Sequence, residues 1–241
     1  MIFSSIEFII FFIIFLISIK FLKKNQQNLI ILFSLFFYAF WNISFVLLIL
    51  YFCIATYIFI KKNYYLKTSI FLILLPLIYF KYSTFLINSL HLNHLRSFSY
   101  NGEIPLAISF ITFTAIAAVV DTNKKIFDRN SINFYSISEF ILFFPQLIAG
   151  PIVNYNYMLP QFKNLKNRFI NKQNIFLGLI IIFIGFFKKV VIADNLALIV
   201  DDGFLNHNDI DFFLAWLTSL SFTFQIYFDF SGYIDMATGS A

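Results

Sequence analysis

The stretch Ser221–Asp235, SFTFQIYFDFSGYID, sets Gln225, Asp229 and Asp235 among Phe222, Phe224, Tyr227, Phe228, Phe230 and Tyr233. A carboxylate at bilayer depth costs about 2.5–3.5 kcal/mol on insertion scales, so such residues face a protein interior or a cavity. Wound as one helix at about 100° per residue, the segment brings Thr218, Ser221, Gln225, Asp229, Gly232, Asp235 and Gly239 onto an arc of roughly 120°. Aromatic side chains fill most of the remaining surface. The pattern predicts a lipid-compatible helix with a polar seam.

The rest of the chain has the same apolar character. Of its 241 residues, 60% are hydrophobic and 12% charged, and its mean hydropathy is +0.83. Soluble domains carry about 25% charged residues, so this chain has too little polar surface for water. Several apolar runs reach the roughly 18–20 residues needed to cross the hydrocarbon core. The runs are continuous, whereas the strands of a transmembrane β-barrel alternate apolar and polar residues. The expected fold is therefore an all-α integral membrane protein, a polytopic helical bundle forming one transmembrane domain over residues 1–241. The net charge is +5, but the basic residues flank apolar spans and form no patch suited to nucleic acid. The positive-inside rule accounts for them. Cys53, the single cysteine, lies within an apolar run and reads as packing.

In chain order, the expected spans are approximately 2–22, 28–40, 43–60, 68–90, 104–120, 175–200 and 212–235. The first lacks a basic leader and a small-residue cleavage site, so it reads as an uncleaved span. Spans two and three form a tight hairpin about Trp41-Asn42. The fourth is expected to break near Pro76 and carries Lys81. Lys20, Lys23 and Lys24 follow span one, Lys61, Lys62 and Lys67 follow span three, and Lys124, Lys125 and Arg129 follow span five. That asymmetry predicts an outside N-terminus, with 20–27, 61–67 and 121–133 cytoplasmic. Residues 134–151 end in FFPQLIAGP, and the segment after them is basic, with Lys163, Lys166, Arg168 and Lys172. Both flanks then lie on one side, which predicts a re-entrant or membrane-parallel element, tolerated only where it is buried in protein or lines a cavity.

Few residues here carry chemistry. Gln225 and Asp229, spaced i,i+4, either fix packing against a neighbouring helix or line a pathway. Lys188 and Lys189 stand in the middle of span 175–200. They either snorkel from a helix split into halves 175–187 and 190–200, or face an anionic ligand such as the phosphates of an acyl donor. Gln146 either contacts substrate or makes a local hydrogen bond. His91 and His94 lie in a loop without acidic or cysteine neighbours, and His207 sits among Asp201, Asp202, Asp209 and Asp211 without EF-hand spacing. No metal site is expected. Walker, G-x-S-x-G, H-E-x-x-H and dinucleotide motifs are absent.

Four ordered stretches, PLAISFITFTAIAAVVD (105–121), FFPQLIAGPIVNY (143–155), GFFKKVVIADNLA (185–197) and FQIYFDFSGYIDMATG (224–239), resemble the membrane-bound O-acyltransferase (MBOAT) superfamily. The similarity is greatest to the branch of the alginate O-acetyltransferase membrane subunit and its peptidoglycan O-acetylating relatives. The resemblance implies an acyltransferase of the bacterial inner membrane. It would pass an acyl group from a cytoplasmic donor, commonly acetyl-coenzyme A, through a tunnel to a cell-envelope polysaccharide or to a periplasmic partner. It makes Gln146, Lys188, Lys189, Gln225, Asp229 and Asp235 candidates for the substrate path or tunnel wall. It also implies a histidine as general base or acyl handler, a task suited to a group with a pKa near 6.5. This chain departs from the family at two places. Asn154 stands where GPIV is normally followed by arginine, and the family histidines lie downstream of the FDFSGYxDMA segment, beyond Ala241. The chain resembles roughly the first half of such an enzyme and is expected to be inactive alone. A transporter using Asp229 and Asp235 as a proton or cation path, and a non-functional remnant of a truncated gene, are the alternative expectations.

Overall fold

The computed structural model of the chain describes residues 3, 5–22, 26–62, 64–91, 93–124, 132–148, 150, 153–163, 172–206 and 211–241. Lys23, Lys24, Lys125, Arg129, Lys166, Arg168, His207 and Asp209, together with Ala149 and Pro151 of the expected re-entrant element, lie outside the described residues. Every regular element among the described residues is helical. Among the described residues three helices are long and apolar enough to cross a membrane, Ile43–Lys61, Leu66–Ser89 and Lys172–Leu205, and Gln26–Trp41 and Ile108–Asn123 are shorter apolar helices. The chain is an all-helical, multi-pass membrane protein. After helix α1 (Ile6–Phe21), the helices fall into two compact units, Ile14–Ile148 with Ile152–Arg168, and Met1–Ile13 with Ala149–Pro151 and Phe169–Ala241.

In the first unit, α2 (Gln26–Trp41) and α3 (Val46–Lys61) form the hairpin that the Trp41-Asn42 dipeptide predicts. Asn42 leaves the helical region, and its side-chain oxygen accepts from the Ser44 N–H at 2.9 Å. That bond satisfies a donor at the start of the next helical turn. The next helix is α4 (Leu66–Leu77), a π turn (Ile78–Tyr82) and α5 (Ser83–Ser89) run together without interruption. The break expected at Pro76 does not occur: the helix runs on past the proline, and a π turn begins two residues later. The polar loop that follows is tied back to α5, where the Tyr100 N–H donates to Ser83 Oγ at 3.0 Å and Thr84 Oγ1 donates to the Tyr100 carbonyl at 2.9 Å. Helix α6 (Ile108–Asn123) then packs against α3 and α4 and buries Ile111, Ala115, Ala118 and Val119.

The expected re-entrant element is a broken helix. Asn133 caps α7 (Phe134–Leu142) by accepting from the Ser136 N–H at 2.7 Å, while Ser136 Oγ accepts from the Asn133 N–H at 3.2 Å. At about 1.5 Å per residue, nine residues cannot span the hydrocarbon. The chain leaves helical geometry at Phe143 (ψ 101°) and restarts as α8 (Phe144–Leu147), with Pro145 in the first turn, where its missing N–H costs nothing. The Phe144 N–H donates to Ser34 Oγ of α2 at 3.2 Å, and its buried ring meets Phe15 and Phe37. Helix α9 (Tyr155–Lys163) closes the unit, its buried Tyr155 hydroxyl 2.9 Å from Ser136 Oγ.

The second unit is built around α10 (Lys172–Phe186), a π stretch (Phe187–Ala193) and α11 (Asp194–Leu205), which together make one continuous helix. This helix pairs with α12 (Phe212–Ser240). Asp211 starts α12 by accepting from the Leu214 N–H at 2.7 Å. Phe176, Phe183, Phe213 and Trp216 are exposed on this pair, as side chains facing lipid are.

Candidate functional site

The pairing of the two long helices begins with glycine. A Cβ added to Gly178 would stand 2.7 Å from the Gly239 carbonyl oxygen, and one added to Gly185 would stand 2.6 Å from the Gly232 oxygen. The relation is reciprocal, since Gly239 meets Gly178 and Gly232 meets Gly185. In each helix the two glycines are seven residues apart, two turns on one face, so the backbones meet along an antiparallel seam that only small residues allow. The polar seam of α12 faces this crossing, with Thr218, Ser221 and Gly232 buried.

Just past Gly185, two adjacent lysines reach across to α12. The Lys188 ammonium lies 2.5 Å from Asp235 Oδ2 and donates to Ser231 Oγ at 2.9 Å. The Lys189 ammonium lies 2.6 Å from Asp229 Oδ1 and 2.7 Å from Asp194 Oδ1, and 5.8 Å from the centre of the Tyr233 ring. Phe3 packs on the other ring contact of Tyr233, 6.3 Å between centroids. Two lysines thus serve three aspartates. Exposure rises from the Lys188–Asp235 pair, 26% for each side chain, to 40% at Asp229 and 50% at Asp194, so the cluster opens towards Asp194. Gln225, one turn before Asp229, keeps its side-chain oxygen shut from solvent without a hydrogen-bond partner.

Five of the six sequence-predicted path residues, Lys188, Lys189, Gln225, Asp229 and Asp235, therefore fall on one helix pair. The snorkelling reading of the lysines rested on a helix split in two. The helix is continuous, and its ammonium groups end on carboxylates. Gln146 belongs to the other unit, where it is half-buried in α8 and its N–H donates to the Phe143 carbonyl at 3.0 Å. Asn154, in the place of the family arginine, is exposed just before α9. Sequence reasoning missed Asp194 and Ser231 as members of the cluster. Residues five apart, like Lys189 and Asp194, do not face one another on an α-helix, so only knowledge of the π stretch would have paired them.

Chemically, the cluster is a set of charge-assisted hydrogen bonds, with Lys189–Asp229 as an ion pair, that fixes two helices in register and offers lysine donors beside aspartate acceptors. It contains no nucleophile paired with a base. His91 and His94 are exposed in the loop after α5. Among the described residues no group of three or more His, Cys, Asp or Glu side chains is arranged to hold a metal ion.

A family model, the membrane-bound O-acyltransferase family, matches residues 33–241. The peptidoglycan O-acetyltransferase of Helicobacter pylori is 42% identical over 87% of this chain and 46% of its own length. A probable alginate O-acetylase of Pseudomonas aeruginosa is 32% identical over 99% of this chain and 48% of its own. The teichoic acid D-alanyltransferase of Bacillus subtilis is 27% identical over 56% of this chain and 34% of its own. The chain spans about half the length of the first two relatives. No solved structure matches.

Proposed function

We propose, since the chain belongs to the membrane-bound O-acyltransferase family, that it forms the substrate path of an O-acetyltransferase of the bacterial inner membrane. Its N-terminus lies outside and its basic loops lie in the cytoplasm. The donor is acetyl-coenzyme A or another cytoplasmic acyl donor. The acceptor is a cell-envelope polysaccharide, peptidoglycan or an alginate-like polymer, or a periplasmic partner that completes the transfer. Peptidoglycan is the preferred acceptor, because the relative so named shares 42% of its residues over the match against 32% for the alginate O-acetylase.

The observation that carries this reading is the meeting of two family-like motifs. GFFKKVVIADNLA and FQIYFDFSGYIDMATG fold against each other, and the lysines of the first bind the aspartates of the second. Lys188, Lys189, Gln225, Asp229 and Asp235 form the wall of the path in this reading. The acyl-handling group in this reading is the histidine that the family carries downstream of its FDFSGYxDMA segment. His91, His94 and His207 match neither family position. The cation-path alternative is less well supported, because Asp229 and Asp235 are each already held by a lysine.

Membranes carrying the intact protein, given radiolabelled acetyl-coenzyme A on the cytoplasmic side, are expected to place base-labile label in peptidoglycan. Label in neither peptidoglycan nor alginate, together with a cation flux that Asp229→Asn abolishes without any acyl donor, would overturn the reading in favour of transport.

A further inference from the structure

Asp194 owes its place in the charge cluster to the π stretch. Residues five apart on an unbroken α-helix stand about 140° apart, and Asp194, nine residues after Gly185, would stand about 180° from it. Gly185 faces α12 through Gly232, so in α geometry Asp194 would point away from α12. Instead the Asp194 N–H donates to the Lys189 carbonyl, the five-residue bond that makes a π turn, and the Asp194 carboxylate comes round to 2.7 Å from the Lys189 ammonium. Backbone and side chains of the same two residues close the same turn. Lys189 also packs tightly on α12, where a Cβ on Gly232 would stand 3.2 Å from its backbone nitrogen. Single π turns inside α-helices are frequently found at functional sites.

We propose that Asp194 is a positioning residue of the acyl-transfer site, and that the π stretch Phe187–Ala193 serves to deliver its carboxylate. Asp194 holds the Lys189 ammonium from the lysine's own helix while Asp229 holds it from α12. Bound on two sides, the ammonium has one place; bound by Asp229 alone, it can change rotamer and carry Asp229 with it. The inference rests on the acyltransferase reading for its consequence, but the pair itself is testable without activity.

The intact protein in membranes is compared with Asp194→Asn, Asp194→Glu and a deletion of Val191, an exposed residue of the π stretch. The deletion leaves Lys189 and the aspartate four residues apart, facing each other in ordinary α geometry. Asp194→Asn is expected to lower kcat about tenfold and leave KM for the acetyl donor within about twofold, as loss of positioning does. Asp194→Glu is expected to restore most of the rate, and the deletion to keep it. In the same samples, melting temperatures of Lys189→Met, Asp194→Asn and the double variant in detergent are expected to combine non-additively. An unchanged kcat in Asp194→Asn overturns the proposal. So does loss of rate in the deletion while Asp194→Glu keeps it, which would make the π turn itself the requirement. Should the unaltered protein transfer no acetyl at all, the acyltransferase reading fails by itself. The melting data then decide the pair, additive shifts overturning it and coupled shifts sustaining it.

Discussion

The Tyr51 hydroxyl donates a 3.0 Å hydrogen bond to the Leu72 carbonyl, four residues before Pro76. Proline has no N–H for that oxygen, and inside a bilayer no water replaces it. Tyr51, on α3, thus supplies from a neighbouring helix what α4 has lost. Tyr51→Phe is expected to destabilise the protein by about 1 kcal/mol, read as a lower melting temperature in detergent. Pro76→Ala returns the missing donor, so Tyr51→Phe added to Pro76→Ala should cost little. Equal costs in the two backgrounds would show that the bond does not compensate for the proline.

The glycine crossing makes a second prediction. Any side chain at Gly185 or Gly232 meets backbone of the opposite helix within 3.0 Å, and backbone cannot step aside as a long side chain does. Overpacking of this kind typically costs about 1–3 kcal/mol. Gly232→Ala is expected to lower the melting temperature in detergent. An unchanged melting temperature would mean that the helices tolerate a wider separation.

The helical membrane fold was legible because it is written in long apolar runs, the simplest periodic signal a chain carries. The polar seam of α12 was legible for the same reason, since seven small or polar residues recur at helical spacing. The partners of that seam were not. Lys188 and Lys189 are adjacent in sequence, and whether they turn to lipid headgroups or to α12 depends on the Gly185–Gly232 approach, a contact 47 residues apart in the chain. The π turns were also hidden. Pro76 marks one of them, but nothing in FKKVVIA distinguishes five-residue from four-residue hydrogen bonding. The interruption of 134–151 was legible from Pro145, whereas the Asn133 cap, the break at Phe143 and the burial of Glu139 were not.

The Lys188–Asp235 pair separates stability from function. Removing one partner leaves a charge with no counter-ion in a helix interface, and removing both leaves none. Lys188→Met and Asp235→Asn are each expected to lower the melting temperature more than the double variant does. If the pair also belongs to the acetyl path, the double variant recovers stability without recovering acetyl transfer. Recovery of both would make the pair a packing device only.

Glu139 sits in α7, too short to span the membrane, with its side chain fully buried. Among the described residues its Oε2 receives one long 3.4 Å bond, from Gln27 Nε2, and its Oε1 has no hydrogen-bond partner. Burial pushes the carboxyl up to about 7 from its ordinary 4.5, because the charged form loses its water without gaining a cation. The folded protein therefore holds this proton up to about pH 7, while the unfolded chain releases it near 4.5. Between those values the folded state binds more protons, so stability falls as pH rises through the window and levels off above it. Glu139→Gln keeps the shape and removes the titration. The parent is expected to melt at a higher temperature at pH 5.5 than at pH 8, and Glu139→Gln to lose most of that difference while matching the parent best at low pH. An equal pH dependence in the two proteins would assign the slope to other groups and leave Glu139 charged where it lies.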